Sequence, residues 1–139
     1  MAAKILLFFT AAAFLTGVLS CATVHKVVKV EESLNGKEVE VSRGGTVVIR
    51  LESNPTTGFK WELAKISDEN IVQLLDHKFI PPRKKAKKGK GWMTGVPGKE
   101  VWKFKALKKG VCRVHLDYSR PWEGGEKGVK KYVLTIKVK

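Results

Sequence analysis

The sequence predicts an all-β protein, an antiparallel two-sheet sandwich of seven to eight strands, and three observations carry that expectation. From residue 24 onward apolar and polar residues alternate with a period of two, the mark of strands with one buried face. Clusters of Gly, Asn and Pro interrupt the alternation at short intervals. The 139-residue chain shows no internal repeat and no linker-like stretch, so a single domain is expected.

The elements follow in order. "KVVKVEE" sets Val28 and Val30 opposite Lys29 and Glu31, and "KEVEVS" alternates Val39 and Val41 with Glu38, Glu40 and Ser42. "TVVIRLE" places Val47, Ile49 and Leu51 on one face and Val48, Arg50 and Glu52 on the other. "FKWEL" offers Phe59, Trp61 and Leu63 to the core, and "VWKFKA" offers Trp102, Phe104 and Ala106 with Lys103 and Lys105 outside. In "VCRVHLDY", Cys112, Val114, Leu116 and Tyr118 share a face; "YVLTIKV" closes the chain with Tyr132, Leu134, Ile136 and Val138. Turn signals fall at Asn35-Gly36, Gly44-Gly45, Asn54-Pro55, Gly95 to Gly98, Gly110 and Gly124-Gly125. "SDENIVQLLDHKF" is ambiguous, because Ile71, Leu74 and Leu75 also fit one helical turn. Short strands at this spacing are the pattern of a sandwich.

The N-terminus stands apart from the domain. Lys4 precedes the apolar run "ILLFFTAAAFLTGVL", which has the length of a signal-peptide core and is short for a membrane span. It ends in "VLSC", which resembles a bacterial lipobox, so residues 1–20 are expected to be a signal peptide and Cys21 a lipidated residue. Ordinary secretion and an uncleaved anchor are the alternatives, and all three place the domain outside the cytoplasm: periplasmic, membrane-anchored or secreted. Residues 21–139 then form the domain, large enough for a core without disulfides. With Cys21 lipidated, Cys112 has no internal partner and reads as a buried structural thiol. Lys and Arg number 27 against 13 Asp and Glu, a formal charge of +14, which favours acidic partners and says nothing about fold.

Catalysis finds no support. The histidines are His25, His77 and His115, and "GxSxG", "HExxH" and "CxxC" are all missing. His115 and Asp117 lie on the outward face of one strand with Ser119 following, and residues alternating along one strand cannot converge as a triad. The same pair supplies at most two metal ligands, short of a zinc site. No enzyme activity, cofactor or metal is expected.

Three segments carry recognition chemistry instead. In "SNPTTGFKW", Asn54 can fold back on the backbone, Pro55 fixes φ, Thr56 and Thr57 are stiff, and Gly58 can adopt positive φ. A narrow, rigid tip without long side chains results, although the segment alone is equally an ordinary strand connection. In "DYSRPWEGG", Arg120, Pro121 and Trp122 open a loop whose indole either folds back on the domain or awaits a partner. "PPRKKAKKGKGWMTGVPGKEVW" is a long connection with six cations (Arg83, Lys84, Lys85, Lys87, Lys88 and Lys90) followed by Trp92 and Met93. Little aromatic interleaving accompanies those cations, so nucleic acid is not an expected partner.

"NPTTG" at 54–58, a glycine-containing turn before "WKFKA", and "RPW" at 120–122 occur in order on loops of one expected sandwich. Together they resemble the chagasin-like inhibitors of cysteine peptidases over residues 25–139. The resemblance implies an immunoglobulin-like sandwich whose three loops at one end form a wedge for the cleft of papain-family proteases. It assigns Asn54, Pro55, Thr56, Thr57 and Gly58 to the central loop, with Thr56 and Thr57 nearest the protease's catalytic cysteine. Arg120, Pro121 and Trp122 become a flanking loop, and Trp92, Met93, Gly95 and Gly98 a third. That third loop departs from the family's Gly-x-Gly: Gly95-Val96-Pro97-Gly98 has Pro where the second Gly would fall. The implied activity is reversible, tight, competitive inhibition by a monomer, with no covalent bond. A second reading rests on charge alone, an envelope lipoprotein whose basic run at 83–90 binds an anionic surface or polymer.

Overall fold

A valine or aromatic at every second position commits each segment to one buried face, and two such faces bury each other. The computed structural model describes residues 24–82, 96–122 and 124–139. Its strands are β1 Val27–Glu31, β2 Glu38–Val41, β3 Thr46–Ser53, β4 Lys60–Ile66, β5 Val72–Ile80, β6 Gly98–Ala106, β7 Gly110–Ser119 and β8 Lys130–Val138. They form two four-stranded sheets, ordered β1-β3-β6-β5 and β2-β8-β7-β4. The core between them is drawn from the positions that the alternation singled out, among them Val30, Val47, Ile49, Phe104, Leu116 and Leu134. Cys112 is buried there as a free thiol.

The sheets are mixed, since β1 runs parallel to β3 and β2 parallel to β8, while the other pairings are antiparallel. The first four strands pass from sheet to sheet, so Asn35-Gly36 carries the chain across the sandwich rather than closing a hairpin. There the Asn35 carboxamide takes the place of a strand residue against β8, donating to the Lys131 carbonyl (2.9 Å) and accepting from the Val133 N–H (2.9 Å).

The ambiguous segment resolves as strand β5. A register shift between Leu74 and Asp76 leaves Leu75 as an extra, exposed residue. One inserted residue breaks the period of two and produces the spacing that mimics a helical turn. Leu63 and Phe59, expected in the core, are only half-buried at the edge of the sandwich.

Candidate functional site

Register alone brings three connections to one end of the sandwich. In the first sheet Ser53 pairs with Gly98 and Ile80 with Lys99. In the second, Lys60 pairs with Ser119 and Tyr118 with Lys130. The β3–β4, β5–β6 and β7–β8 loops therefore leave their strands side by side.

The β3–β4 loop is built almost wholly from its own polar groups. Pro55–Thr57 form one 3-10 turn, closed by the Thr57 N–H on the Asn54 carbonyl (3.1 Å) and the Gly58 N–H on the Pro55 carbonyl (2.9 Å). Gly58 ends it at φ 81°, a conformation costly for any residue with a Cβ. The Thr56 hydroxyl donates to Asn54 Oδ1 (2.6 Å), so the Asn54 side chain does turn back upon the loop. The Thr57 hydroxyl donates to the Asn54 carbonyl (2.7 Å) and accepts from the Phe59 N–H (3.4 Å). Both threonine hydroxyls thus brace the turn while Pro55, Thr56 and Thr57 stay exposed.

The β7–β8 loop is closed by the Arg120 N–H on the Glu126 carbonyl (2.7 Å) and the Val129 N–H on the Tyr118 carbonyl (3.0 Å). The Lys127 ammonium donates to the carbonyls of Arg120 (2.5 Å) and Trp122 (3.3 Å), fixing the path of "RPW". Trp122 both folds back and stays available. A Cβ built on Gly58 would lie 2.3 Å from Trp122 Cη2, so the indole edge rests on that glycine. Trp122 nevertheless remains 51% exposed.

Stacked rings tie both loops to the core. Tyr132 meets Trp61 edge-on (6.5 Å between centroids), Trp61 packs on Tyr118 (5.1 Å), and Tyr118 stacks on Phe59 (5.4 Å). The Arg120 guanidinium caps the column, 4.5 Å from the Phe59 centroid and 5.9 Å from that of Trp122. Its Nη1 reaches Glu126 Oε1 (3.2 Å), while its buried Nε has no partner among the described residues. The Tyr118 hydroxyl accepts the Asn54 N–H (3.1 Å), joining β7 directly to the start of the first loop.

The structure therefore brings Asn54, Pro55, Thr56, Thr57 and Gly58 together with Arg120, Pro121 and Trp122. Gly98 lies at the same end but is buried at the start of β6, where a Cβ would meet the Ile80 carbonyl oxygen and the Phe79 ring at 2.5 Å. Trp92, Met93, Gly95, the cations at 83–90 and Cys21 lie outside the described residues. His115 and Asp117 do face outward from β7, and no group of three or more potential metal ligands occurs among the described residues.

Sequence reasoning missed the buried polar cluster beneath the loops. Glu100, 2% exposed, accepts from the Ser53 hydroxyl (2.7 Å) and the Trp61 N–H (2.9 Å) on Oε1, and from His77 Nε2 (2.7 Å) on Oε2. The His77 ring stacks on Trp102 at 3.6 Å. The signal was there, because Glu100 falls in phase with Trp102, Phe104 and Ala106 on the inward face of β6.

Residues 40–136 match the model of the chagasin family of peptidase inhibitors, I42. Chagasin from Trypanosoma cruzi is 32% identical over 116 residues, which cover 81% of this chain and 96% of that protein. The crystal structure of a cysteine protease inhibitor from Entamoeba histolytica superposes with a TM-score of 0.66 at 23% identity, covering 81% of this chain and 96% of that one. PbICP-C, solved in complex with falcipain-2, shares the fold with a TM-score of 0.51 at 22% identity, over 83% and 91% of the two chains.

Proposed function

Since the chain belongs to the chagasin family of peptidase inhibitors, we propose that it is a reversible, tight-binding inhibitor of papain-like cysteine proteases that occludes the cleft with loops at one end of the sandwich. One observation carries this reading: the exposed tip at Pro55–Thr57 is a self-bonded 3-10 turn with a half-exposed indole seated against it. A protease cleaves a peptide that lies extended along its cleft. The turn keeps the Thr56 and Thr57 carbonyls out of that geometry while filling the same space. Competition follows from occupying the cleft that substrate needs, and the described tip at Pro55–Thr57 offers only hydroxyls engaged within the turn, so inhibition is reversible.

The proposed roles are those that the family resemblance implies. Thr56 and Thr57 face the catalytic cysteine, with their hydroxyls already oriented by Asn54. Arg120, Pro121 and Trp122 rest on the flank of the cleft, the indole supplying the large apolar contact of a binding hot spot. Trp92, Met93 and Gly95 approach from the other flank, and Gly98 serves that loop from below as a site of close strand packing. Pre-ordering by the sandwich lowers the entropy lost on docking. The complex of PbICP-C with falcipain-2 shows that a protein of this fold engages such a partner. The inhibitor acts as a monomer outside the cytoplasm, periplasmic, held to a membrane through a lipid on Cys21, or secreted; fatty-acid labelling of the parent that Cys21→Ser abolishes is the result expected of the lipid anchor, and an unlabelled parent overturns it.

Titration of active papain with the chain tests the function. Loss of activity at roughly micromolar inhibitor or below is expected, with full recovery on dilution. No inhibition in that range, or steady cleavage within residues 53–59, overturns the proposal.

A further inference from the structure

Glu100 occupies an inward position of β6, in phase with Trp102 and Phe104, where an apolar side chain would pack without burying a charge. It is satisfied by bonds to three different strands, β3 through Ser53, β4 through Trp61 and β5 through His77. Two of these partners are the feet of the β3–β4 loop. Ser53 is the last residue before it and Trp61 the second residue of the strand after it, and both bond the same oxygen, Oε1. β4 is the edge strand of its sheet, and Glu100 reaches across from the other sheet to take its Trp61 N–H. A second tie crosses the same feet, from Trp61 Nε1 to the Glu52 carbonyl (2.9 Å). The third partner, His77, lies three residues before the end of β5, and Glu100 itself lies two residues into β6, so the carboxylate also joins the strands that feed the neighbouring loop.

We propose that Glu100 is the positioning residue of the inhibitory edge: its carboxylate, through Ser53, Trp61 and His77, sets the separation of the loop feet and thereby the pose of Thr56 and Thr57. The inference rests on the reading of this end of the molecule as protease-binding. Glu100 touches no protease in this scheme, because it is buried beneath the loops. It acts by holding the loop in its bound shape before docking, which removes an ordering cost that a loose loop would meet on binding. Hydrogen bonding, rather than net charge, is what the feet require. A glutamine meets that requirement, since its carboxamide oxygen accepts from Ser53 and Trp61 while its NH2 donates to His77 Nε2 once the neutral imidazole carries its proton on Nδ1 instead.

The test compares Glu100→Ala, Glu100→Gln and Ser53→Ala with Val114→Ala, a core truncation in the middle of β7, all in the full chain. Two readouts are taken well below each melting temperature, the papain inhibition constant and amide hydrogen exchange over residues 54–61. Glu100→Ala is expected to weaken inhibition roughly tenfold and to speed exchange at Thr57, Gly58 and Trp61. Ser53→Ala, which removes one bond and little volume, shifts both in the same direction by a smaller factor. Glu100→Gln restores both to within about threefold of the parent. Val114→Ala lowers the melting temperature and moves neither. Parent-like exchange over 54–61 in Glu100→Ala overturns the proposal, as does equal loss of inhibition in Glu100→Ala and Val114→Ala at matched melting temperature. Failure of the parent chain to inhibit papain would count against the proposed function, and the exchange profile would still decide the role of Glu100 in shaping the loop.

Discussion

At the scale of single residues, Gly58 and Trp122 form one functional unit. Gly58 is held at φ 81°, and the space that its Cβ would fill is taken by the indole edge. Gly58→Ala therefore carries a backbone penalty of about 1 kcal/mol and also drives Trp122 off its seat. Trp122→Ala is expected to cost about 2 kcal/mol of protease binding, roughly thirtyfold in the inhibition constant, with little change in melting temperature because half of the side chain is exposed. If both act through the same contact, the double variant binds no worse than the weaker single one; simple additivity in the inhibition constants would show that they act separately. Tyr132 gives a residue-scale prediction about stability. Burial, with a smaller contribution from the charge of Glu32, pushes its hydroxyl up to about 12 from an ordinary 10.0. Below pH 10 the phenol is protonated in both folded and unfolded chains, and its contribution is fully present. Between 10 and about 12 the unfolded chain ionises first, so stability falls with rising pH, by up to about 3 kcal/mol. Tyr132→Phe lacks this slope but loses the bond to the Glu31 carbonyl (3.0 Å). Urea unfolding at about pH 9 and about pH 11 should show the parent's advantage over Tyr132→Phe shrinking; a constant difference would refute the assignment.

At the scale of elements, the two described loops behave as one surface because rings and a guanidinium join them. Arg120 on the β7–β8 loop caps Phe59 at the end of the β3–β4 loop, and Phe59 in turn stacks on Tyr118 of β7. A cation over an aromatic face at such a site contributes on the order of 0.5–1 kcal/mol. A double-mutant cycle of Phe59→Leu and Arg120→Gln, read as protease affinity, should return a coupling energy of about that size. Zero coupling would mean that the loops dock independently. Much of this arrangement was legible in the sequence. Alternation found the strands because each has a buried face, and "NPTTG" and "RPW" could be placed on loops because strands flank them. The parallel pairings of β1 with β3 and β2 with β8 were not legible, since they join residues distant in sequence that no local pattern links. The bulge at Leu75 disguised β5 by breaking its period. Glu100 escaped notice for another reason. In "GKEVWKFKA" a carboxylate among lysines looks solvated, and only strict counting from Trp102 turns it inward.

At the scale of the whole molecule, charge acts on encounter more than on the final complex. The formal charge is +14, and among the described residues the ion pairs lie mostly on the surface, such as Lys103 with Asp76 (3.9 Å) and Lys137 with Glu40 (3.8 Å). Pairs of that kind add little stability, and the excess cations remain as a long-range field. Six of them fall between Arg83 and Lys90, in the stretch leading to the third loop. A field of this sign speeds approach to an acidic protease and is screened within about 8 Å at physiological salt. Replacing Arg83, Lys84, Lys85, Lys87, Lys88 and Lys90 by glutamine should therefore slow association with such a protease by up to roughly tenfold at low ionic strength. The dissociation rate should stay unchanged, and the difference in association should fade as salt is added. A faster dissociation rate would place the run in direct contact with the protease. Unchanged inhibition kinetics, combined with loss of binding to anionic vesicles, would assign the run to a membrane surface and separate that role from inhibition. Rate measurements across a salt series resolve these outcomes because the short-range loop contacts and the long-range charge enter different rate constants.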